Sequence, residues 1–209
     1  MSHGFESHSG FRDASGRLVG RAPGRGRALD LVTVSWLESP LGPLVAGVTD
    51  GGVCLLEFSD GRMLEGQFQS LQQRFGPVLP GSHPLLDQLR SELAEYFAGS
   101  RHEFTVQLVY PGTPFQVKVW EALRGIPYGE TYSYEKLAWS VGVPRAQRAV
   151  GHANGQNRLA VLIPCHRVIN KDGKLGGYGG GLWRKQLLLE LERGEQTALA
   201  FPAQAHPSL

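Results

Sequence analysis

The period of the hydrophobic pattern changes along the chain. In the stretch from Leu31 to Asp60, short apolar runs alternate with turn residues: Leu44-Val45-Ala46-Gly47-Val48 and Val53-Cys54-Leu55-Leu56-Glu57-Phe58 flank Thr49-Asp50-Gly51-Gly52. Two apolar runs around a Gly-containing turn predict a β-hairpin, with glycine supplying the positive φ of the turn. Leu85, Leu86, Leu89, Leu93 and Phe97 then recur at helical spacing, and Gly99 ends that helix. A small sheet domain with helices is therefore expected over residues 31–105, followed by a linker to about 111.

From Thr113 the spacing turns helical. Thr113-Pro114 reads as a helix start with Pro in the first turn, Phe115, Val119 and Leu123 share a face, and Pro127-Tyr128-Gly129 stops the run. Ser133 is placed to cap a helix from Tyr134 to about Trp139, and Gly142-Val143-Pro144 forms a tight turn. A third helix is expected from about Arg145 to Ala153. Helix, short turn, helix is the layout of a helix-turn-helix. The third helix is rich in small residues: Ala146, Ala149 and Ala153, with Gly151 and Gly155 nearby. Small side chains serve either tight packing on another helix or close approach to DNA, and the pattern alone leaves both open. Leu159-Ala160-Val161-Leu162-Ile163 is expected as a short buried strand running into Pro164-Cys165-His166-Arg167-Val168. The fold class read this way is α/β plus α, a small N-terminal sheet domain followed by a mainly helical domain over residues 111–194. Residues 1–30, with Gly20-Arg21-Ala22-Pro23-Gly24-Arg25-Gly26-Arg27, read as a flexible basic arm, and residues 195–209 as a flexible tail.

Composition narrows the function classes. Apolar residues make up 41% of the 209, as in ordinary globular proteins. No run reaches the roughly 18 apolar residues of a membrane span, and the first residues lack a signal-peptide pattern. A cytoplasmic or nucleoid location with no membrane partner is expected. Two cysteines, with no Cys-x-x-Cys or His-x-x-x-His spacing, point to neither a disulfide framework nor a catalytic metal. The net charge of +2 hides an asymmetry: residues 31–100 carry three Arg and no Lys against eight Asp and Glu, while residues 101–194 carry thirteen Lys and Arg against seven Asp and Glu. A basic second half suits a polyanion, though surface charge also varies freely.

Cys165-His166 is the candidate chemistry. A thiolate displaces well at an alkyl carbon, and a neighbouring His can draw off the thiol proton directly or through a water. Consecutive side chains on a strand point apart, however, so the pair by itself does not decide. Cys54, inside an apolar strand, reads as an inert core thiol.

The wider pattern does decide. Thr113-Pro114-Phe115-Gln116-Val117, Val119-Trp120, Ile126-Pro127-Tyr128-Gly129, Thr131-Tyr132-Ser133-Tyr134, Arg148-Ala149-Val150-Gly151, Asn154-Gly155-Gln156-Asn157, Ile163-Pro164-Cys165-His166-Arg167-Val168 and Gly176-Gly177-Tyr178-Gly179-Gly180-Gly181-Leu182 stand in that order. Together they closely resemble the O6-alkylguanine-DNA alkyltransferases, over residues 113–193. The resemblance implies irreversible, single-turnover transfer of an alkyl group from O6-alkylguanine in double-stranded DNA, and from O4-methylthymine as a further candidate, with no cofactor. It implies a monomer that acts from the minor groove on a flipped guanine. Cys165 would be the alkyl acceptor, His166 a base acting through a bound water, Glu192 the carboxylate orienting His166, and Asn157 the hinge. Arg148 would fill the gap left by the flipped nucleotide, Tyr134 would crowd the 3′ phosphate, and Tyr178 would wall the guanine pocket. Ala149, Gly151, Val168 and Gly179 join these as DNA- and substrate-binding positions. Two positions depart from the family pattern: Arg158 stands where many members have Pro, and Gly179 where some have a Ser able to reach the guanine O6. A non-catalytic lesion binder would lack the acceptor Cys, a Cys hydrolase would not use a helix-turn-helix, and a transcription regulator of this family would need a cysteine-rich zinc module.

Overall fold

The computed structural model describes residues 31–61, 64–195 and 198–199. The expected basic arm over residues 1–30 and most of the expected tail lie outside these residues. The first half forms β1 (Val32–Leu37), β2 (Leu44–Thr49), β3 (Gly52–Phe58), α1 (Leu64–Arg74), β4 (Val78–Pro80) and α2 (Pro84–Phe97). The sheet runs in the order β3-β2-β1-β4. The expected hairpin is the β2–β3 pair, antiparallel from Leu44↔Phe58 to Thr49↔Gly52, with a register shift at Gly47/Val48. Gly52 cannot be replaced cheaply: its φ is +144°, and a Cβ there would stand 2.6 Å from the Gln107 carbonyl oxygen.

Both faces of this sheet are covered, which is why β2 and β3 read as continuous apolar runs and not as alternation. One face packs Val32, Val34, Val45 and Leu55 on Phe68 and Leu71 of α1. The other packs Leu44, Ala46, Leu56 and Phe58 on Leu86, Leu89 and Leu93 of α2 and on the helices of the second half. The stretch expected as a linker instead lies along the outer edge of β3. The Val53 amide donates to the Gln107 carbonyl and the Val109 amide to the Val53 carbonyl, both at 2.8 Å. An exposed strand edge carries unpaired backbone groups, and this segment satisfies them.

The second half holds α3 (Pro114–Arg124), α4 (Tyr134–Ser140), α5 (Gln147–Gly155), a 3-10 turn over Cys165–Arg167 and α6 (Leu182–Glu192). Two short strands, β5 (Tyr132–Ser133) and β6 (Val168–Ile169), pair in parallel. Thr113 and Gln116 form a reciprocal capping box at the start of α3. Ser133 caps α4, its hydroxyl accepting from the Lys136 amide at 3.0 Å. The α4–turn–α5 unit is the expected helix-turn-helix, but α5 begins and ends two residues later than the spacing predicts. The Ala146 amide bonds to the Val143 carbonyl in a turn, so the helical ladder starts only at Gln147.

The expected strand over Leu159–Ile163 is not a strand. Leu159 makes an isolated bridge to Leu56 on β3, through Leu56 N–H to the Arg158 carbonyl and Ala160 N–H to the Leu56 carbonyl. The chain then turns at once: Val161 takes a φ of 70°, and the Ile163 amide returns to the Leu159 carbonyl at 2.9 Å. Every residue from Leu159 to Ile163 is buried. An apolar run reports burial on all sides, and burial does not distinguish a strand from a buried turn.

Candidate active site

The turn aims the Cys165 segment. Asn157, just past α5, acts as its clamp: its Nδ2 donates to the Ile163 carbonyl at 2.8 Å and to Cys165 Sγ at 3.2 Å, while its Oδ1 accepts from the Leu159 amide at 3.0 Å. Cys165, His166 and Arg167 then occupy one 3-10 turn. Consecutive side chains there fan out by about 120°. Cys165 therefore lines a cavity of about 590 Å³ while His166 and Arg167 turn into the core. On a strand end the pair would have pointed to opposite faces. The 3-10 turn is what the local pattern did not reveal.

Glu192, at the last turn of α6, collects the core-facing groups. Its Oε1 lies 2.8 Å from His166 Nε2, and Arg167 straddles the carboxylate, donating Nε to Oε2 at 2.7 Å and NH2 to Oε1 at 2.9 Å. Tyr96 of α2 donates its hydroxyl to Oε1 at 2.6 Å. Arg167 is fixed further by donating NH1 to the Ile126 carbonyl at 2.6 Å. Burial pushes the Glu192 carboxyl up, but His166 and Arg167 outweigh it and hold the group far below the usual carboxylate range. Burial lowers His166, against the pull of Glu192, so the imidazole is neutral near pH 7 and the lasting cation beside Glu192 is Arg167. An ionised carboxylate only accepts, which assigns the ring proton to Nε2 and leaves Nδ1 as the basic lone pair. That Nδ1 is buried and has no protein partner.

The thiol itself is not activated at rest. Burial pushes Cys165 up to about 11, with the Asn157 donor working the other way. A base is therefore required for nucleophilic chemistry near pH 7.

Besides the Cys165 turn, the cavity walls come from α4, α5, the glycine loop and β3. Tyr134 of α4 stands at one side, packed so closely on Gly176 that a Cβ there would lie 2.8 Å from the ring. Gly151 of α5 faces the same ring. Tyr178 and the glycines around it also line the cavity, with the Tyr178 ring edge-on to His166 at 6.5 Å. Gly179 is exposed, and a Cβ on it would meet nothing within 4 Å. Val168 is buried behind the site, in β6. Arg148 and Ala149 lie exposed on α5, and Arg148 has no partner among the described residues. The small residues of α5 differ in burial. Ala153 is packed inward, its carbonyl accepting from Trp120 Nε1 at 2.9 Å, while Ala149 is left at the surface.

Besides Tyr96, two residues of the site are absent from the sequence pattern's candidates. Lys185 is fully buried and gives its Nζ to the carbonyls of Val168 at 2.5 Å and Gly176 at 3.3 Å, tying β6 to the glycine loop; burial pushes it down to about 8. A signal existed: Lys185 shares a helix face with Leu188, Leu189 and Glu192. Glu57 of β3 also lines the cavity, its carboxyl raised by burial and held by the Phe58 amide and Gln67. Nothing in a hairpin strand announces that.

Residues 114–194 match the family model described as the 6-O-methylguanine DNA methyltransferase DNA-binding domain. The chain is 47% identical over 162 residues to the methylated-DNA–protein-cysteine methyltransferase of Mycobacterium tuberculosis, covering 78% of this chain and 93% of that one. It is 42% identical over 145 residues to the inducible methyltransferase of that name from Bacillus subtilis, covering 69% and 81%. Among solved structures it resembles the M. tuberculosis OGT–DNA complex, with a TM-score of 0.66 at 41% identity over 78% and 93% of the two chains. It also resembles the O6-methylguanine-DNA methyltransferase of Pyrococcus kodakaraensis, at 0.55 and 28% over 77% and 98%. With the match running through both halves and the Cys165 site intact, this chain belongs to the methylated-DNA–protein-cysteine methyltransferase family.

Proposed function

We propose that the protein repairs DNA by taking the alkyl group of an O6-alkylguanine onto Cys165, once per molecule. A single observation carries this reading: Cys165 stands in a cavity, clamped by Asn157, with the neutral His166 and the ionised Glu192 behind it. The Cys165 proton passes through a water to His166 Nδ1, and Sγ attacks the alkyl carbon. The C–O6 bond breaks as the S–C bond forms, the electron pair stays on the guanine, the purine takes a proton from water, and the imidazolium of His166 returns the thiol proton to water. A hydrogen bond from Tyr134 suits that developing charge. The thioether has no leaving route, so turnover ends there.

A duplex buries the alkyl carbon in the base stack, so the guanine is rotated out into the cavity. Exposed Arg148 on α5 enters the vacated stack, and the bare backbone at Ala149 and Gly151 brings α5 close to the duplex from the minor groove. The protein acts as a monomer. Incubation with a duplex containing O6-methylguanine is expected to add about 14 Da, the mass of one methylene, to the peptide holding Cys165, one per protein. Methyl on any other residue, or turnover without a protein adduct, sinks the reading.

A further inference from the structure

Glu192 orients His166, but something must also hold Glu192. Its Oε1 is shared by three donors: His166 Nε2 at 2.8 Å, Arg167 NH2 at 2.9 Å and the Tyr96 hydroxyl at 2.6 Å. The third comes from α2 in the first half, 96 residues away in sequence. Tyr96 is fully buried, its ring wedged between Phe97 and Phe104, each at 5.4 Å, and edge-on to Tyr128 at 6.1 Å. Packing on that scale fixes the ring, and the ring fixes the hydroxyl.

We propose that Tyr96 is a positioning residue for alkyl transfer, through which the N-terminal half sets how firmly Glu192 holds His166. The proposal rests on the His166–Glu192 relay described above. A carboxylate oxygen has two lone pairs. A hydroxyl that occupies one of them draws off charge that would otherwise strengthen the bond to His166 Nε2–H. A charge-assisted bond of this kind is strong, and its loss cannot be made up by water in a buried site. Tyr96 therefore keeps His166 less basic than Glu192 alone would make it. The other groups bearing on the pair stay fixed. Arg167 is pinned to the Ile126 carbonyl, Lys185 to the Val168 carbonyl, and Tyr128 and Tyr178 contribute through their neutral phenols.

The test is the pH profile of single-turnover transfer from an O6-methylguanine duplex, at saturating DNA. In the wild type the rate falls on the acid side as His166 takes up a proton. Tyr96→Phe keeps the ring and removes the donor, so His166 becomes more basic. The acid midpoint moves up by about half a pH unit, and the plateau rises by up to about threefold. At lower pH the two profiles converge, because the stronger base is also the sooner protonated. Loss of packing alone would lower the plateau and leave the midpoint in place. A second variant guards against misfolding: site-specific 3-fluorotyrosine at position 96 keeps the ring, makes the hydroxyl a stronger donor and moves the midpoint down. An unmoved midpoint in either variant that folds, or movement in the opposite direction, overturns the proposal. His166→Ala separates this from the relay itself. If the acid limb survives in His166→Ala, the relay is wrong; if it vanishes there yet stays put in Tyr96→Phe, the relay stands and Tyr96 only packs.

Discussion

The two thiols sit in contrasting regions. Cys54 lies in β3 between the sheet and α1, wholly buried, with its Sγ–H given to the Gly47 carbonyl at 3.4 Å. Cys165 lies in the turn below the cavity, also buried, with Asn157 donating to its sulfur. Burial pushes the first up to about 12 and the second up to about 11, so both are thiols near pH 7. The resting thiol is thus not what separates them. Cys54 is a donor in a strand, with apolar neighbours and no base. Cys165 is an acceptor in a turn, beside a cavity that admits a substrate, with a neutral His behind it. Reactivity here is a matter of access and of where a proton can go.

The contrast breaks most sharply by deletion. Cys165→Ala is expected to abolish methyl transfer while DNA binding persists, and Cys54→Ala to leave transfer intact. Mass spectrometry of both variants after reaction with methylated duplex reads this directly, and methyl on Cys54 in the Cys165→Ala protein would falsify the assignment.

The next largest effect concerns what lies behind Cys165. Glu192→Gln leaves the buried Arg167 guanidinium without its counter-charge, at a cost of about 3–5 kcal/mol. The pH dependence has a definite sign. Because Glu192 titrates lower when folded than when unfolded, its contribution is full above the unfolded carboxylate range, about 4.3, and is lost as pH falls below it. Melting temperatures of wild type and Glu192→Gln should differ by a fixed amount above about pH 4.3, and the difference should narrow steadily as the pH is lowered below that value. A gap that stays constant below it would remove the ion pair from the account.

A smaller effect separates extrusion from chemistry. Arg148→Ala is expected to slow repair of duplex DNA by about two orders of magnitude, and hardly to touch reaction with free O6-benzylguanine if that base is accepted. His166→Ala should slow both alike. Equal slowing of both substrates by Arg148→Ala would place Arg148 in the fold or the pocket. The smallest effect is at Gly179, where an added Cβ meets nothing. Gly179→Ser should change stability by less than about 0.5 kcal/mol, read as a denaturation midpoint, while adding a hydroxyl at the cavity rim. Gly180→Ala, whose Cβ would stand 2.6 Å from the Phe58 ring, should cost clearly more.

How much of this was legible varies by element. The β2–β3 hairpin, the Thr113 and Ser133 caps and the order of the helices follow from neighbours within a few residues, and the sequence shows them. α5 starts two residues later than its spacing predicts because the Val143–Ala146 turn uses the same residue types as a first helical turn. Leu159–Ile163 reads as a strand in the sequence because burial and strand formation leave the same apolar signature. Of the site, Cys165, His166, Asn157 and Glu192 were readable through family resemblance, whereas Lys185, Glu57 and Tyr96 were not. Glu57 and Tyr96 sit in ordinary strand and helix patterns that only their partners make unusual, whereas Lys185 is set apart only by sharing a helix face with Leu188, Leu189 and Glu192.

The sequence by itself determined the local elements, the basic second half and the motif around Cys165, since turn chemistry, capping and helical periodicity act over a handful of residues. Tertiary structure alone decided that Cys165 faces a cavity while His166 faces the core, that Val161 takes a left-handed conformation to turn the chain there, and that Glu192 meets a tyrosine 96 residues away. The reason is physical. Burial, proton placement and charge pairing depend on what comes near from elsewhere in the chain, and no local pattern of apolar and polar positions records which distant group that will be.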